Sequence, residues 1–157
     1  MAVSLDGVNQ YFKTTSALFS GTSGTDFDIT FVCWARPDNK HNGYIMTADN
    51  GSSYADGWAI WTVSGGKFRL RWEGNRTMVL DNADNFYIAN TRLDTEFQGK
   101  IAECAAYSVS LTAAEIATLA AGFSPLFVRP DKLVGYWPLG GPFTAATSGA
   151  DITGTDG

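Results

Sequence analysis

The chain has 157 residues, of which 45% are hydrophobic and 17% are charged, and its formal net charge is −5. This length suits a single domain, and a chain of about 150 residues buries roughly 68–70% of the surface that it exposes when unfolded. The eleven Lys and Arg residues are scattered, which argues against a nucleic-acid or anionic-membrane partner. No apolar run is long enough for membrane insertion and no signal-peptide pattern is present, so we expect synthesis in the cytoplasm.

Two strand patterns lie in the N-terminal quarter of the chain. In "AVSLDGVNQYF", Asp6 and Gly7 stand between two apolar runs, which is typical of a hairpin turn or a bulge with positive φ. In "TDFDITFVCWARP", apolar side chains such as Phe31 and Cys33 alternate with other residues as far as Pro37. This alternation predicts the clearest strand of the chain.

A hairpin is predicted farther along. "WAIWTV" runs into Ser-Gly-Gly, and "KFRLRWE" follows with Phe68, Leu70 and Trp72 on one face and charged residues on the other. We therefore expect a half-buried strand with these three apolar side chains inside. The runs "YIMTA", "RTMVL", "FYIAN" and "QGKIAECAAYS" add further strands, so that about eight to ten short strands indicate an all-β fold.

One short helix is predicted at residues 113–121. Thr112 is its N-cap residue, and Glu115 stands three residues later, which is the spacing of a capping box. We expect the helix to pack on the strands through Ile116 and Leu119. A glycine at the end of the apolar pattern predicts the C-cap.

The last strand pattern is "LVGYWPLGG", residues 133–141. Its apolar residues fall on both faces, which predicts a strand that is buried on both sides. Pro138 places this strand near a sheet edge or marks its end.

Both cysteines, Cys33 and Cys104, lie in strand patterns. Because no secretion signal precedes them, we expect buried free thiols rather than a disulfide.

The run "QGKIAECAAYSVSLTAAEIATLAAG" resembles the signature of glycine, isoleucine, glutamate, tyrosine, leucine and helix near the end of laminin-G-like and pentraxin-like domains. These domains belong to the concanavalin A-like jelly-roll superfamily. "AVSLDGVNQYFKT" resembles the strand and turn ahead of their core, and "FDITFVCWARP" resembles their core strand. The resemblance implies a single domain over residues 1–157 with a two-sheet antiparallel jelly-roll β-sandwich.

The order of the strands departs from that family. Laminin-G-like domains usually begin with a strand that resembles "LVGYWPL", whereas this chain has it after the helix. The resemblance therefore implies a circular permutation, in which residues 132–157 supply the strand usually found at the N-terminus. The alternative is a truncated second domain.

Catalysis is not expected from this sequence. Glucanases of this fold carry Glu, Asp and Glu at alternate positions of one strand, which places two carboxylates on one face for retaining hydrolysis. No two of the four glutamates have that spacing, and the single histidine, His41, lies in a polar loop and forms no pairing of nucleophile and base with Cys33 that the sequence supports. We therefore expect a protein that is not an enzyme.

Calcium is the cofactor that the residue types favour, because Ca²⁺ takes oxygen ligands from Asp, Asn and backbone carbonyls. Two polar loops, "DNGSSYAD" and "DNADN", supply such residues, and the candidate ligands are Asp49, Asp81, Asp84 and Asn85. Asp and Asn are also selected by turns for conformational reasons, which is the alternative interpretation.

A glycan site needs an exposed aromatic ring beside polar side chains. Trp58 and Trp61 point to opposite faces of a regular strand, and Trp58 resembles the family's buried position. The candidate contacts are therefore Trp61 and Tyr54, with Asp56 and Asn50 beside them. The alternative is that Trp61 covers the core or a subunit contact.

The runs "LDG", "AEIATLAAG" and "RPDKLVGYWPL" together resemble laminin-G-like proteins encoded by tailed phages. This resemblance implies a non-catalytic structural and adhesive protein on a virion surface, as a capsid decoration or tail component. Its expected partners are further copies of itself, other virion proteins and cell-surface glycans. The alternative function is a free-standing, calcium-dependent carbohydrate-binding lectin module.

Overall fold

The computed structural model describes residues 2–7, 11–14, 28–38, 43–49, 57–63, 67–73, 85–89 and 97–140. This part of the chain forms nine strands, one α-helix and two short 3-10 turns. The strands are β1 (Val3–Asp6), β2 (Phe12–Lys13), β3 (Thr30–Pro37), β4 (Gly43–Asp49), β5 (Gly57–Val63), β6 (Lys67–Glu73), β7 (Asn85–Ile88), β8 (Gln98–Tyr107) and β9 (Leu133–Trp137). Helix α1 spans Ala113–Ala120, and the 3-10 turns span Pro125–Phe127 and Pro130–Lys132.

The strands form two antiparallel sheets. One has five strands in the order β2-β7-β4-β5-β6. In the other, β8 is central, with β3 on one side and both β1 and β9 on the opposite side. The all-β prediction is confirmed for the described residues, as two antiparallel sheets with one short helix.

β9 and β1 share one edge of β8. Trp137, the last residue of β9, lies opposite Cys104, and Val3, the first residue of β1, lies opposite Ile101. Both strands run antiparallel to β8, so β1 continues in the direction of β9. β9 is buried on both faces, and Pro138 follows its last residue, as the sequence predicts.

The main core lies between the two sheets and is rich in aromatic rings. Phe31 of the four-stranded sheet stacks on Trp58 of the five-stranded sheet, with ring centroids 3.8 Å apart. Trp137 stacks on Phe86 in the same way, at 4.9 Å. These pairs join the inner faces of the two sheets, and the buried cluster around them includes Val3, Leu5, Ile45, Met46, Ile88, Phe97, Ile101 and Cys104.

The turn at Asp6 and Gly7 has the predicted backbone conformation but a different role. Gly7 has φ of +73°, and a Cβ atom there would lie 2.8 Å from Gln98 Cβ, so glycine is required at this position. β1 pairs with β8, whereas β2 pairs with β7 in the other sheet. The hairpin interpretation is therefore wrong, because the chain changes sheets between these strands.

The β5–β6 hairpin is confirmed, with three residues between the register partners Val63 and Lys67. The predicted burial of its second strand is wrong where side chains are described, because Phe68 is 56% exposed and Leu70 is 72% exposed. The five-stranded sheet is wider than the sheet that faces it, and β6 is its outermost described strand. The side of β6 that carries Phe68 and Leu70 therefore extends beyond the opposite sheet and is not covered by it.

Helix α1 has the capping box that the sequence predicts. The Thr112 amide donates a hydrogen bond to Glu115 Oε2 at 2.7 Å, and the Glu115 amide donates to Thr112 Oγ1 at 3.3 Å. At the other end, Gly122 has φ of +93°, and its amide donates to the Leu119 carbonyl at 2.8 Å. The Phe123 amide completes a Schellman motif with the carbonyl four residues before Gly122.

The helix packs through Leu119, which is buried, but not through Ile116, which is 52% exposed. The two positions differ by about 60° around the helix axis, so a narrow contact buries one without the other. The prediction for Ile116 is therefore wrong. Leu119 belongs to a second cluster on the outer face of β8, which we call the helix-side core; its other members are Ala105, Tyr107, Leu111, Val128, Leu133 and Tyr136.

Candidate functional site

The outer face of the four-stranded sheet is covered at one end by the helix-side core and open at the other. The open end is a groove with a volume of about 580 Å³. We call it the β8 groove. The residues that line it include Trp34, Arg36, Lys100, Ala102, Glu103 and Ser124. All six residues belong to β3, β8 or the segment that follows α1.

The floor of the groove follows from the register of β3 and β8. Trp34 lies opposite Ala102, and Arg36 lies opposite Lys100. Strand alternation directs all four side chains away from the main core. Because Ala102 is small, the Trp34 ring has no bulky neighbour across the strand, and it is 42% exposed.

Glu103 enters the groove because β8 contains a bulge. Val32 pairs with Ala105 and Trp34 pairs with Ala102, so β8 has one more residue than β3 between these pairs. Glu103 has φ of +52°, a left-handed conformation that costs a residue other than glycine roughly 1–2 kcal/mol. Strained backbone of this kind is common at functional sites.

The bulge determines which side chains of β8 face the main core. Ile101, Cys104 and Ala106 all belong to the main core cluster. A regular strand would place Ile101 and Glu103 on the same face. The extra residue therefore turns the Glu103 carboxylate away from the core and into the groove.

The Glu103 carboxylate is held in place by Tyr136 of β9. The Tyr136 hydroxyl donates to Glu103 Oε2 at 2.6 Å, and Ser124 Oγ donates a longer bond of 3.4 Å to the Tyr136 hydroxyl. Burial and the hydrogen bond to Glu103 raise the pKa of Tyr136. Tyr136 therefore keeps its proton at neutral pH and remains a donor to the carboxylate.

The groove combines the groups that polyhydroxylated ligands need. Trp34 offers an exposed ring face, Arg36 and Lys100 offer hydrogen-bond donors, and Glu103 offers an acceptor. Arg36 also lies 3.9 Å from Asp38, but both side chains are largely exposed, so this ion pair is weak. The lining itself therefore contains two cationic side chains, Arg36 and Lys100, and one anionic side chain, Glu103.

A second aromatic surface lies on the outer face of the five-stranded sheet. Trp58 is buried in the main core, as the sequence predicts, and Trp61 lies on the opposite face. The Trp61 ring stacks on Tyr44 with centroids 5.8 Å apart, and Arg69 is its register partner on β6. Trp61 therefore remains a candidate glycan contact.

The other predicted ligand residues fall mostly outside the described residues. Tyr54, Asp56 and Asn50 are in this position, as are Asp81 and Asp84.

Asp49 and Asn85 are described in their backbones and are register partners on β4 and β7. The connections from β4 to β5 and from β6 to β7 therefore meet the sheet at the same end. Among the residues whose positions are described, no group of three or more His, Cys, Asp or Glu side chains is placed to hold a metal ion.

The two glutamates with described side chains, Glu103 and Glu115, serve separate contacts. Glu103 accepts from Tyr136, and Glu115 caps α1 and accepts from Arg129 Nε at 2.8 Å. Hydrogen bonds from Thr112 are the main cause that lowers the pKa of Glu115. Each carboxylate therefore has a local structural partner.

Sequence reasoning missed the β8 groove. The alternation in "FVCWARP" already places Trp34 and Arg36 on the face opposite Phe31 and Cys33, and this signal indicates an exposed tryptophan. The position of Glu103 depends on a β-bulge, and no residue type in "QGKIAECAAYS" predicts a bulge there.

No protein-family model matches this chain, and a search of curated proteins found no match. In the described part of the chain, no helix is long and apolar enough to span a membrane.

Proposed function

We propose that this chain is a non-catalytic structural and adhesive protein of a virion surface that binds glycans through the β8 groove. The observation that carries the glycan-binding part is the placement of exposed Trp34 beside the fixed carboxylate of Glu103. In this proposal the Trp34 ring stacks on the C–H face of a sugar. Arg36 and Lys100 donate to its oxygens, and Glu103 accepts from a hydroxyl group.

The fold in this proposal is a circularly permuted, concanavalin A-like jelly roll. The pairing with β8 supports it, because β9 and β1 lie one after the other along the same edge of β8 and run in the same direction. In laminin-G-like domains the corresponding strands occur in that order along the chain. A permuted chain would fill the same two places from its opposite ends.

The virion location rests on the resemblance to phage-encoded proteins. Such a protein would be made in the host cytoplasm and would contact copies of itself and other virion proteins. The exposed apolar side chains Phe68 and Leu70 on β6 support such contacts, because an outermost strand with apolar residues favours association.

The first experiment is a glycan-array screen of the purified chain, with calcium and again with EDTA. Trp34→Ala is expected to reduce affinity for any hit about tenfold or more, which corresponds to about 1.4 kcal/mol. Trp61→Ala tests the second aromatic surface. Phe127→Ala is the matched control, because Phe127 is 79% exposed and lies outside both surfaces.

Each outcome of the screen separates the alternatives. Loss of binding with Trp34→Ala alone supports the β8 groove as the glycan site. Loss of binding with Trp61→Ala alone would instead assign the glycan site to the outer face of the five-stranded sheet. No binding at high protein concentration contradicts the adhesive part. The structural part is tested separately by native mass measurement and by the presence of the chain in purified virions.

The second candidate function is a free-standing calcium-dependent lectin. The pairing of Asp49 with Asn85 favours it, because it brings the ends of two Asp- and Asn-rich segments together. Binding that EDTA abolishes, together with a chain that remains monomeric, would support this function over the virion component.

A further inference from the structure

The two cysteines are neighbours across the β3–β8 pair. Val32 pairs with Ala105, and Cys33 and Cys104 are the next residues along each strand toward the bulge. Opposed residues of antiparallel strands have Cα atoms about 4.5–5.5 Å apart, and disulfides form at Cα separations of about 4.4–6.8 Å. The register therefore places the two cysteines side by side across the strand pair, at the bulge.

The side chains also point to the same place. Cys104 is a fully buried member of the main core, and Cys33 packs against that core. Each thiol is the neighbouring side chain with the largest effect on the pKa of the other. Cys33 is less buried than Cys104 and belongs to β3, which pairs only with β8 among the described strands.

The environments of the two thiols differ. Burial raises the pKa of Cys104 well above its usual range, and the neighbouring Cys33 adds to this effect. The hydrogen bond from Cys104 lowers the pKa of Cys33, although burial opposes it. Cys33 is therefore the better nucleophile, and Cys104 is placed as the thiol that resolves an oxidised Cys33.

We propose that Cys33 and Cys104 form a reversible oxidation site in which hydrogen peroxide converts the two thiols to a disulfide between β3 and β8. The Cys33 thiolate attacks one peroxide oxygen, the O–O bond breaks, and hydroxide leaves and takes up a proton, so Cys33 becomes a sulfenic acid. Cys104 then attacks the Cys33 sulfur, the S–O bond breaks, and the Cys104 proton leaves with the hydroxyl group as water. Overall, two thiols and one peroxide give one disulfide and two waters.

The disulfide would fasten an outer strand to the centre of its sheet. It closes a long loop between residues 33 and 104, and such cross-links stabilise mainly by restricting the unfolded chain. We expect the midpoint of thermal unfolding to rise by roughly 5–15 °C on oxidation and to fall again on reduction. This inference is independent of the glycan-binding proposal.

The test treats the full chain with a small excess of hydrogen peroxide and measures thiols after denaturation, intact mass and thermal unfolding. The expected result is the loss of both thiols, a mass decrease of two hydrogen atoms, and a higher midpoint that dithiothreitol reverses. Cys33→Ser and Cys104→Ala each remove one partner. In either variant, oxidation is expected to add oxygen to the remaining sulfur or to leave it unchanged, with no rise in the midpoint.

Three results would overturn the proposal. In the wild-type chain, both thiols could remain titratable, oxygen could add to Cys33 while Cys104 stays free, or the disulfide could link two chains. The wild-type measurements give a result even if Cys104→Ala fails to fold, and Cys33→Ser changes the more exposed of the two sites.

Discussion

Strand β8 joins two hydrophobic cores that are built in different ways. On its inner face, the main core is a stack of aromatic rings: Phe86 lies 4.9 Å from Trp137, 6.0 Å from Phe31 and 6.1 Å from Trp58 between ring centroids. The hydrophobic effect that stabilises such a cluster is non-directional and follows the apolar area removed from water.

On the outer face of β8, the helix-side core is smaller and is fixed by hydrogen bonds. The Tyr107 hydroxyl donates to the Pro125 carbonyl at 3.0 Å. Thr30 Oγ1 donates to the Val109 carbonyl at 2.9 Å and accepts from the Leu111 amide at 3.1 Å. These directional bonds set where α1 and the 3-10 turns lie, and so they also set where the β8 groove begins.

Buried apolar area is therefore the main source of stability in the main core, and directional hydrogen bonds are the main source in the helix-side core. Substitutions that remove area should therefore cost most in the main core. Substitutions that remove one polar atom should cost most in the helix-side core.

The largest expected effect is that of Phe86→Ala in the main core. Removal of a fully buried phenyl ring typically destabilises a protein by about 3–5 kcal/mol, and Phe86 contacts three other rings. Urea unfolding followed by tryptophan fluorescence measures the change. The matched control is Phe123→Ala, whose side chain is mostly exposed and whose cost should stay within about 0.5 kcal/mol. Equal costs for the two variants would contradict the assignment of the core.

The next effect is that of Tyr107→Phe in the helix-side core. The substitution keeps the ring and removes the hydroxyl, which leaves the Pro125 carbonyl with the Val128 amide as its remaining donor. Because the carbonyl keeps one donor, the expected cost is that of a single lost hydrogen bond, about 0.5–1.5 kcal/mol. Urea unfolding of the variant measures this cost. A cost near zero would show that water replaces the lost bond.

Tyr107 also makes the stability of the chain depend on pH in the alkaline range. Burial raises its pKa to about 12 from an ordinary value of 10.0, with smaller contributions from Glu115 and Tyr136. Because the folded pKa is higher, the stabilisation is complete below pH 10 and is lost as pH rises from about 10 to about 12. The wild-type chain should therefore lose more stability across this interval than Tyr107→Phe. Parallel slopes would contradict the assignment.

The sequence predicts those features of the fold that depend on residues close together in the chain. The helix follows from Thr112 and Glu115, and the alternation of Phe31 and Cys33 predicts the inner face of β3. These features depend on contacts within a few residues or on strand period alone. The structure therefore reproduces them almost unchanged.

Features that depend on distant parts of the chain were not predictable. Phe68 and Leu70 have the pattern of a buried face, but their exposure depends on the width of the opposite sheet. The placement of Glu103 depends on a bulge that the pairing of β3 with β8 requires. The groove therefore became visible only when the register of two distant strands was known.

An effect of about the same size is expected for Thr112→Ala at the start of α1. The variant removes the side-chain acceptor for the Glu115 amide, and loss of an N-cap typically costs about 1 kcal/mol. Thr112→Ser is the control, because serine retains the hydroxyl group and caps as well as threonine. Chemical unfolding of the three proteins decides the case. A Ser variant as unstable as the Ala variant would assign the effect to the lost methyl group.

The smallest effect is expected for Trp58→Phe in the main core. Within the described residues, the buried Nε1–H groups of Trp58 and Trp137 have no hydrogen-bond partner. A buried donor without a partner carries a desolvation penalty of about 1–3 kcal/mol, and its removal offsets part of the area lost with the indole ring. We therefore expect a net cost below about 1 kcal/mol, measured by urea unfolding with Trp137→Phe in parallel. A cost close to that of Phe86→Ala would mean that ring area alone decides stability at this position, and that the polar atom contributes no penalty there.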